Sequence, residues 1–199
     1  MIEKTGKWLF GLFTLLLAGA SYAESSPAGS VFEQGWQAYQ EHDYSRALAL
    51  WLPLAEQGHA KTQNNVAMIY LSTQDESQNV MEAVRWFHRA AEQGNRSAQT
   101  SLGVLYVQGR GVKQDYNQAF EWFYRAARNG YAQAQFNLGK MYSEGLAVSQ
   151  DDIKAMKWFR RAAEQGHLAS EIVITELMKQ GRGLRRVPYA KDTRWSKFG

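Results

Sequence analysis

Four histidines, His42, His59, His88 and His167, are the first residues to weigh for metal or acid–base chemistry. Each stands singly, with no second ligand at metal spacing. Asp151-Asp152 could pair two carboxylates, but it precedes a helical pattern and reads more simply as a helix cap. Gly109-Arg110-Gly111 lacks the third glycine and the preceding strand of a dinucleotide loop. No Gly-x-Ser-x-Gly, His-Glu-x-x-His or phosphate loop occurs. The chain has no cysteine, which removes thiolate metal sites, cysteine nucleophiles and disulfides. Asn95-Arg96-Ser97 has the letters of a glycosylation sequon, which matters only in a eukaryotic source. The expectation is a non-catalytic protein with no cofactor and no metal, whose working chemistry is packing and hydrogen bonding.

The elements that would position such groups come from a repeated phrase. It runs Ala-Val-Arg-Trp-Phe-His-Arg-Ala-Ala-Glu-Gln-Gly from Ala83 and returns, varied, from Ala119 and from Ala155, each 36 residues after the last. A worn copy lies from Ala47 to Gly58. A fixed period of this size signals a repeat architecture. In the third unit Ala98, Leu102, Leu105 and Tyr106 share one helical face, and Gly103 leaves room for a neighbouring helix. Gly109-Arg110-Gly111 turns the chain. Asp115 then caps a second helix, with Gln118 completing a capping box, and Ala119, Trp122, Phe123, Ala126 and Ala127 form its apolar face. Gly130 supplies the left-handed stop.

These roles recur in register: stops at Gly58, Gly94, Gly130 and Gly166, and caps at Asp43, Asn79, Asp115 and Asp151. One helix pair cannot bury enough apolar surface to offset the entropy of ordering itself, so neighbouring units must share a continuous core. The Trp-Phe pairs and Ala-Ala steps are expected to form it. The first unit runs from Val31, with Pro53 predicting a kink in its second helix. Boundaries follow at about 31–59, 60–95, 96–131 and 132–167, then a capping helix over 168–181.

The ends differ from this body. Glu3, Lys4 and Lys7 precede an apolar run from Trp8 to Ala20, and Ser21-Tyr22-Ala23 offers small residues before a polar stretch. That run is too short to span a bilayer, so residues 1–23 read as a cleaved secretory signal, with an uncleaved anchor as the alternative. A periplasmic or secreted protein is expected. Residues 24–30, rich in Ser, Pro and Gly, read as a flexible leader. Residues 182–199 carry Arg182, Arg185, Arg186, Lys191, Arg194 and Lys197 against Asp192, so the net charge of +4 resides in this tail while the body is mildly acidic.

Leu102-Gly103-Val104-Leu105-Tyr106, Gly109-Arg110-Gly111-Val112, Asp115, Ala119, Trp122-Phe123 and Arg125-Ala126-Ala127 closely resemble the Sel-one-like repeat, a relative of the tetratricopeptide repeats. The resemblance covers about residues 60–180. It implies an all-α fold, a right-handed α-solenoid of stacked antiparallel helix pairs with a concave groove. Members typically serve as adaptors in protein complexes, and many bacterial ones are exported. The second unit departs from the motif, with Thr73-Gln74-Asp75-Glu76-Ser77-Gln78 in place of the Gly-x-Gly turn. The first matches only in its second half.

On each first helix one stripe escapes the apolar pattern: Asn64, Asn65 and Met68, then Thr100, Ser101 and Val104, then Phe136, Asn137 and Lys140. If the family geometry holds, these positions line the groove. Amides and hydroxyls suit the backbone of an extended protein or peptide partner, with Phe136 either an apolar anchor or packed between repeats. In the tail, Arg185, Arg186, Arg194, Trp195 and Lys197 interleave basic and aromatic residues. They suit an anionic lipid or cell-wall polymer rather than nucleic acid, or form a solvated end. A monomeric scaffold is expected. The rival is an envelope enzyme acting on β-lactams or peptidoglycan, suggested by cysteine-rich relatives associated with β-lactam binding, although those are disulfide-linked.

Overall fold

The computed structural model describes residues 27–72 and 78–183. These form nine helices: α1 (Pro27–Gln40), α2 (Tyr44–Glu56), α3 (Ala60–Ser72), α4 (Gln78–Glu92), α5 (Arg96–Gln108), α6 (Tyr116–Arg128), α7 (Ala132–Glu144), α8 (Asp152–Ala163) and α9 (Leu168–Lys179). No strand occurs among the described residues. The chain falls into two compact units that divide between Ala98 and Gln99.

In the first unit each helix packs on its neighbour in the chain, α1 on α2, α2 on α3 and α3 on α4. The worn repeat is held by aromatic stacking. Trp51 is fully buried, its ring lies 5.8 Å from Phe32 and 6.0 Å from Tyr39, and its indole N–H donates to the Phe32 carbonyl at 3.1 Å. Helix α2 continues through Pro53 to Glu56. Helix α1 begins at Pro27, so residues 27–30 are its first turn rather than a flexible leader. Proline suits that first helical position because its missing N–H would have had no intrahelical partner.

In the second unit Ala119, Phe123, Ala126 and Ala127 of α6 pack against Ala134, Leu138 and Met141 of α7. Ala155, Met156 and Phe159 of α8 gather with Leu177 of α9. The small residues set the spacing. A Cβ on Gly139 would sit 2.7 Å from the Phe159 ring, and Gly103 faces Phe123 in the same way. Helices α6 and α8 thus each approach the preceding helix through a glycine, as the sequence predicts for Gly103.

The caps work with two corrections. Asp43, Asp115 and Asp151 accept backbone N–H groups of their helices at 2.8–3.1 Å. The capping box at Asp115 does not close, because its own N–H donates to the Tyr106 carbonyl at 3.0 Å, and Asp151 N–H similarly goes to Tyr142 at 2.8 Å. Asn79 lies inside the first turn of α4, one residue past its start, rather than before it. In this repeat the altered turn falls on residues 73–77, outside the described residues, and both flanking helices form.

Asp115→Ala is expected to lower stability by about 1 kcal/mol, the usual worth of an N-cap side chain. The check is a urea midpoint that falls with unchanged slope. The Asp151 carboxyl is held below the ordinary carboxylate range, first by the Lys154 backbone N–H, with burial opposing and the Lys154 side chain assisting. Its contribution is therefore present above the unfolded carboxyl's pKa and is lost as pH falls through the depressed folded value. In Asp151→Asn that part of the acid dependence should vanish, leaving a flatter stability curve on the acid side.

Candidate partner-binding surface

The nine groove positions separate into two kinds. The first member of each trio turns inward: Asn64 and Thr100 are 9% and 6% exposed, while half-buried Phe136 packs on Phe159 (5.6 Å) and His167 (4.8 Å). The second and third members lie towards solvent. Asn65, Ser101, Val104 and Asn137 are half-buried, Met68 is 40% exposed and Lys140 is exposed. Helix geometry alone does not separate them, since i and i+4 lie only about 40° apart; the first members are the ones that neighbouring side chains cover, as Phe159 and His167 cover Phe136.

In the second unit three of these residues meet. Between α5 and α7 lies a depression of about 250 Å³ whose floor is Val104, Phe123, Met141 and Leu146. Asn137, Lys140 and Glu144 form its rim. Lys140 Nζ is 3.9 Å from Glu144 Oε1 with both side chains half exposed, a loose pair that leaves the ammonium free to engage another group. Gln133 donates to Asn137 Oδ1 at 3.5 Å. In the first unit Asn64 Nδ2 reaches Asn65 Oδ1 at 3.5 Å, and Asn64 Oδ1 and Asn65 Nδ2 are buried without a protein partner. A larger, shallower depression of about 910 Å³ borders Tyr106, the loop 112–115 and the first turn of α6. Its Asp115 carboxylate is already committed to the α6 cap.

Sequence reasoning missed a ladder of amides anchored on the buried Gln63 and Gln135. Gln135 donates to the Ala127 carbonyl at 3.2 Å and accepts from Gln165 at 2.8 Å, and Gln165 also donates to Arg161 O at 3.1 Å. The first unit repeats the device, Gln63 to Ala55 at 2.9 Å and Gln93 to Gln63 at 2.7 Å. The signal was there, with glutamine at 63, 99 and 135, one period apart. A second missed pattern is guanidinium over indole, Arg89 on Trp86, Arg125 on Trp122 and Arg161 on Trp158, at 4.6–4.9 Å.

His42 Nδ1 lies 3.2 Å from the Tyr44 hydroxyl. The ring nitrogens of His167 lie 2.9 Å from Ser170 Oγ and 3.1 Å from Gln133 Oε1. Partial burial holds His88 below the usual histidine range, with Glu92 opposing. Among the described residues no three His, Asp or Glu side chains gather closely enough to hold a metal ion. No described helix is long and apolar enough to cross a membrane. The expected signal, residues 1–23, and the tail residues Arg185, Arg186, Arg194, Trp195 and Lys197 lie outside the described residues.

Comparison with known proteins accords with this helical pattern. The Sel1 repeat model matches four consecutive segments, residues 28–59, 60–95, 96–131 and 132–167. Among solved structures, the chain is similar to a protective antigen of uropathogenic Escherichia coli strains that displays an SLR fold. They are 32% identical with a TM-score of 0.75, over 84% of this chain and 37% of that one. It is also similar to a Sel1 repeat protein from Oxalobacter formigenes, 28% identical with a TM-score of 0.69, over 77% and 63% of the two chains. Cysteine rich protein B of Helicobacter pylori, 16% identical with a TM-score of 0.51 over 75% and 98%, shares the fold. The chain thus spans less than two thirds of the first two proteins' lengths. No curated protein gives a match. With four repeats covering most of its length, the chain belongs to the Sel1 repeat family, all-α helical-repeat proteins that commonly mediate protein–protein interaction.

Proposed function

We propose that this protein is an exported, non-catalytic scaffold that holds a protein or peptide partner along the solvent side of its first helices. The observation that supports this most directly is the depression between α5 and α7. Its apolar floor is sized for one partner side chain, and its rim offers an amide at Asn137 and opposite charges at Lys140 and Glu144. Such a site takes an extended chain, because an anchor side chain fills the floor while the rim amide pairs with backbone groups that would otherwise be left without partners. Export rests on the pattern of residues 1–23.

A photo-crosslinker at Asn137 should capture a discrete partner in the native compartment, whereas one at exposed Lys157 on α8 should not. Asn137→Ala with Lys140→Glu should weaken that partner roughly tenfold or more, the effect of removing an anchoring contact, with the helical melting curve unchanged. Capture that survives both substitutions would reject this surface. Turnover of a β-lactam or muropeptide panel by the purified chain would reject the non-catalytic reading.

A further inference from the structure

The third repeat departs from the others along one stripe of α6. Tyr116, Phe120 and Tyr124 follow one another at single turns, with Arg128 a turn further, so the four run along one side of the helix for about 18 Å. At the registers of Tyr116 and Phe120 the second repeat carries Val80 and Val84, 3% and 7% exposed. At the register of Phe120 the fourth carries Met156, 2% exposed. An aliphatic side chain thus suffices to close the core there, yet the third repeat places half-buried rings that leave part of their surface to solvent. Arg128 stands where the other three repeats carry Glu56, Glu92 and Glu164, so the charge at this register is reversed in the same repeat.

The rings continue onto α7. Phe120 lies parallel to Tyr124 with centroids 6.1 Å apart, and it meets the Tyr142 ring edge-on at 5.6 Å. A cation sits at each end of this row, Arg128 5.8 Å from the Tyr124 centroid and Lys154 5.4 Å from that of Tyr142. Beside Tyr116 the stripe opens into the shallow depression of about 910 Å³, where Lys113 and the side-chain amides of Asn117 and Gln118 are exposed. The neighbouring carboxylates are committed: Asp115 to N–H groups of α6, Glu121 to Arg125 at 2.8 Å, and Asp151 to Lys154 at 3.1 Å. Lys113 and Arg128 have no carboxylate partner among the described residues. The face therefore carries uncompensated positive charge beside its rings.

We propose that this face binds an acidic oligosaccharide, with Tyr116, Phe120 and Tyr124 taking the C–H faces of its sugars and Lys113 and Arg128 its carboxylates. A pyranose presents a flat apolar face ringed by hydroxyls, which suits a flat ring with polar groups at its edge. The amides of Asn117 and Gln118 each offer donors and an acceptor, matching neighbouring hydroxyls that do both. A uronate carboxylate can take two parallel N–H bonds from the Arg128 guanidinium, which a neutral sugar cannot. The spacing of charge separates this ligand from a nucleic acid. A strand with a phosphate at every residue calls for a cationic track along its length, whereas here uncommitted cations stand at the two ends of the α6 stripe with rings between them. The face shares no lining residue with the depression between α5 and α7, so it is a second site and does not depend on the first.

Calorimetric titration of the full chain with galacturonate and hyaluronan hexasaccharides at low salt tests this. At least one should bind, and more tightly than neutral maltohexaose. Phe120→Val with Tyr124→His, the residues of the second repeat, should weaken that binding roughly tenfold or more, as loss of an aromatic platform would. Arg128→Glu, the residue of the other three repeats, should weaken it by a similar factor through loss of a charge-assisted bond, and should leave maltohexaose unaffected. Should the aromatic variant lose its cooperative melt, exposed Arg128 decides the matter alone. Asn137→Ala with Lys140→Glu, and Arg185→Gln with Arg186→Gln, should both leave the titration unchanged. Binding of neither hexasaccharide, or equal binding by the Arg128 variant, would overturn the proposal. So would dependence on Arg185 and Arg186, tighter binding of single-stranded oligothymidylate, or binding confined to phosphatidylglycerol vesicles, which would make the tail the site or a nucleic acid or lipid the ligand.

Discussion

Phe159→Ala is expected to lower stability by about 3–5 kcal/mol, the range for removing a fully buried aromatic ring. The ring is 0% exposed and touches helices on both sides: Phe136 and Gly139 on α7, and the cluster with Leu177 of α9. The ring thus contacts side chains of the helices before and after its own, so the cavity left behind cannot collapse by moving one helix alone. Trp158→Ala, the adjacent residue in the same recurring dipeptide, should cost less, because its indole is half-buried and one of its contacts is Arg161 at 4.6 Å. Equal losses at the two positions would show that both aromatics are core.

Gly139→Ala tests the same contact from the other side. A methyl group 2.7 Å from the ring overfills the interface, at a typical penalty of about 1–3 kcal/mol, while alanine recovers part of this through its better helix propensity. In a Phe159→Leu background the methyl group has room, so the two substitutions should couple favourably by about 0.5–3 kcal/mol. Simple additivity in urea midpoints would contradict the close approach of α7 and α8.

The helices were legible because four separate signals share one period. Asp115, Ala119, Phe123 and Gly130 each report a different local requirement, and each returns 36 residues later or earlier. Local rules fail where a tertiary partner competes. Asp115 N–H reaches the Tyr106 carbonyl of the preceding helix instead of Gln118, and no pattern internal to α6 reveals that acceptor. The groove stripe was legible only in part. A spacing of i, i+1 and i+4 fixes which residues escape the apolar face, but not which of them the second helix covers. Thr100 and Phe136 differ in chemistry from their neighbours yet both turn inward, while Asn137 and Lys140 reach the rim. The amides of Gln63 and Gln135 escaped notice for a related reason, since polar residues were assigned to solvent by default and their burial depends on carbonyls of another helix.

Gln135→Leu should lower stability by about 2 kcal/mol, two hydrogen bonds at about 1 kcal/mol each. The substitution keeps side-chain bulk, so the loss would report the bonds rather than a cavity. Ala127 O retains its bond from the Gly130 N–H, and Gln165 retains its bond to Arg161 O, which keeps the effect below that of fully orphaned groups. Gln165→Leu on top of Gln135→Leu should add little, because the shared bond is already gone. A neutral or stabilising Gln135→Leu would mean that the ladder is incidental. If the loss appears, the amide joins the end of α6, the start of α7 and the end of α8 through one side chain, a link that hydrophobic burial cannot supply because burial does not fix register. The ladder also explains where regular repetition stops. One period after Gln135 the chain carries Glu171, exposed on α9, which lacks the amide NH2 that Gln135 donates to the carbonyl near the end of α6.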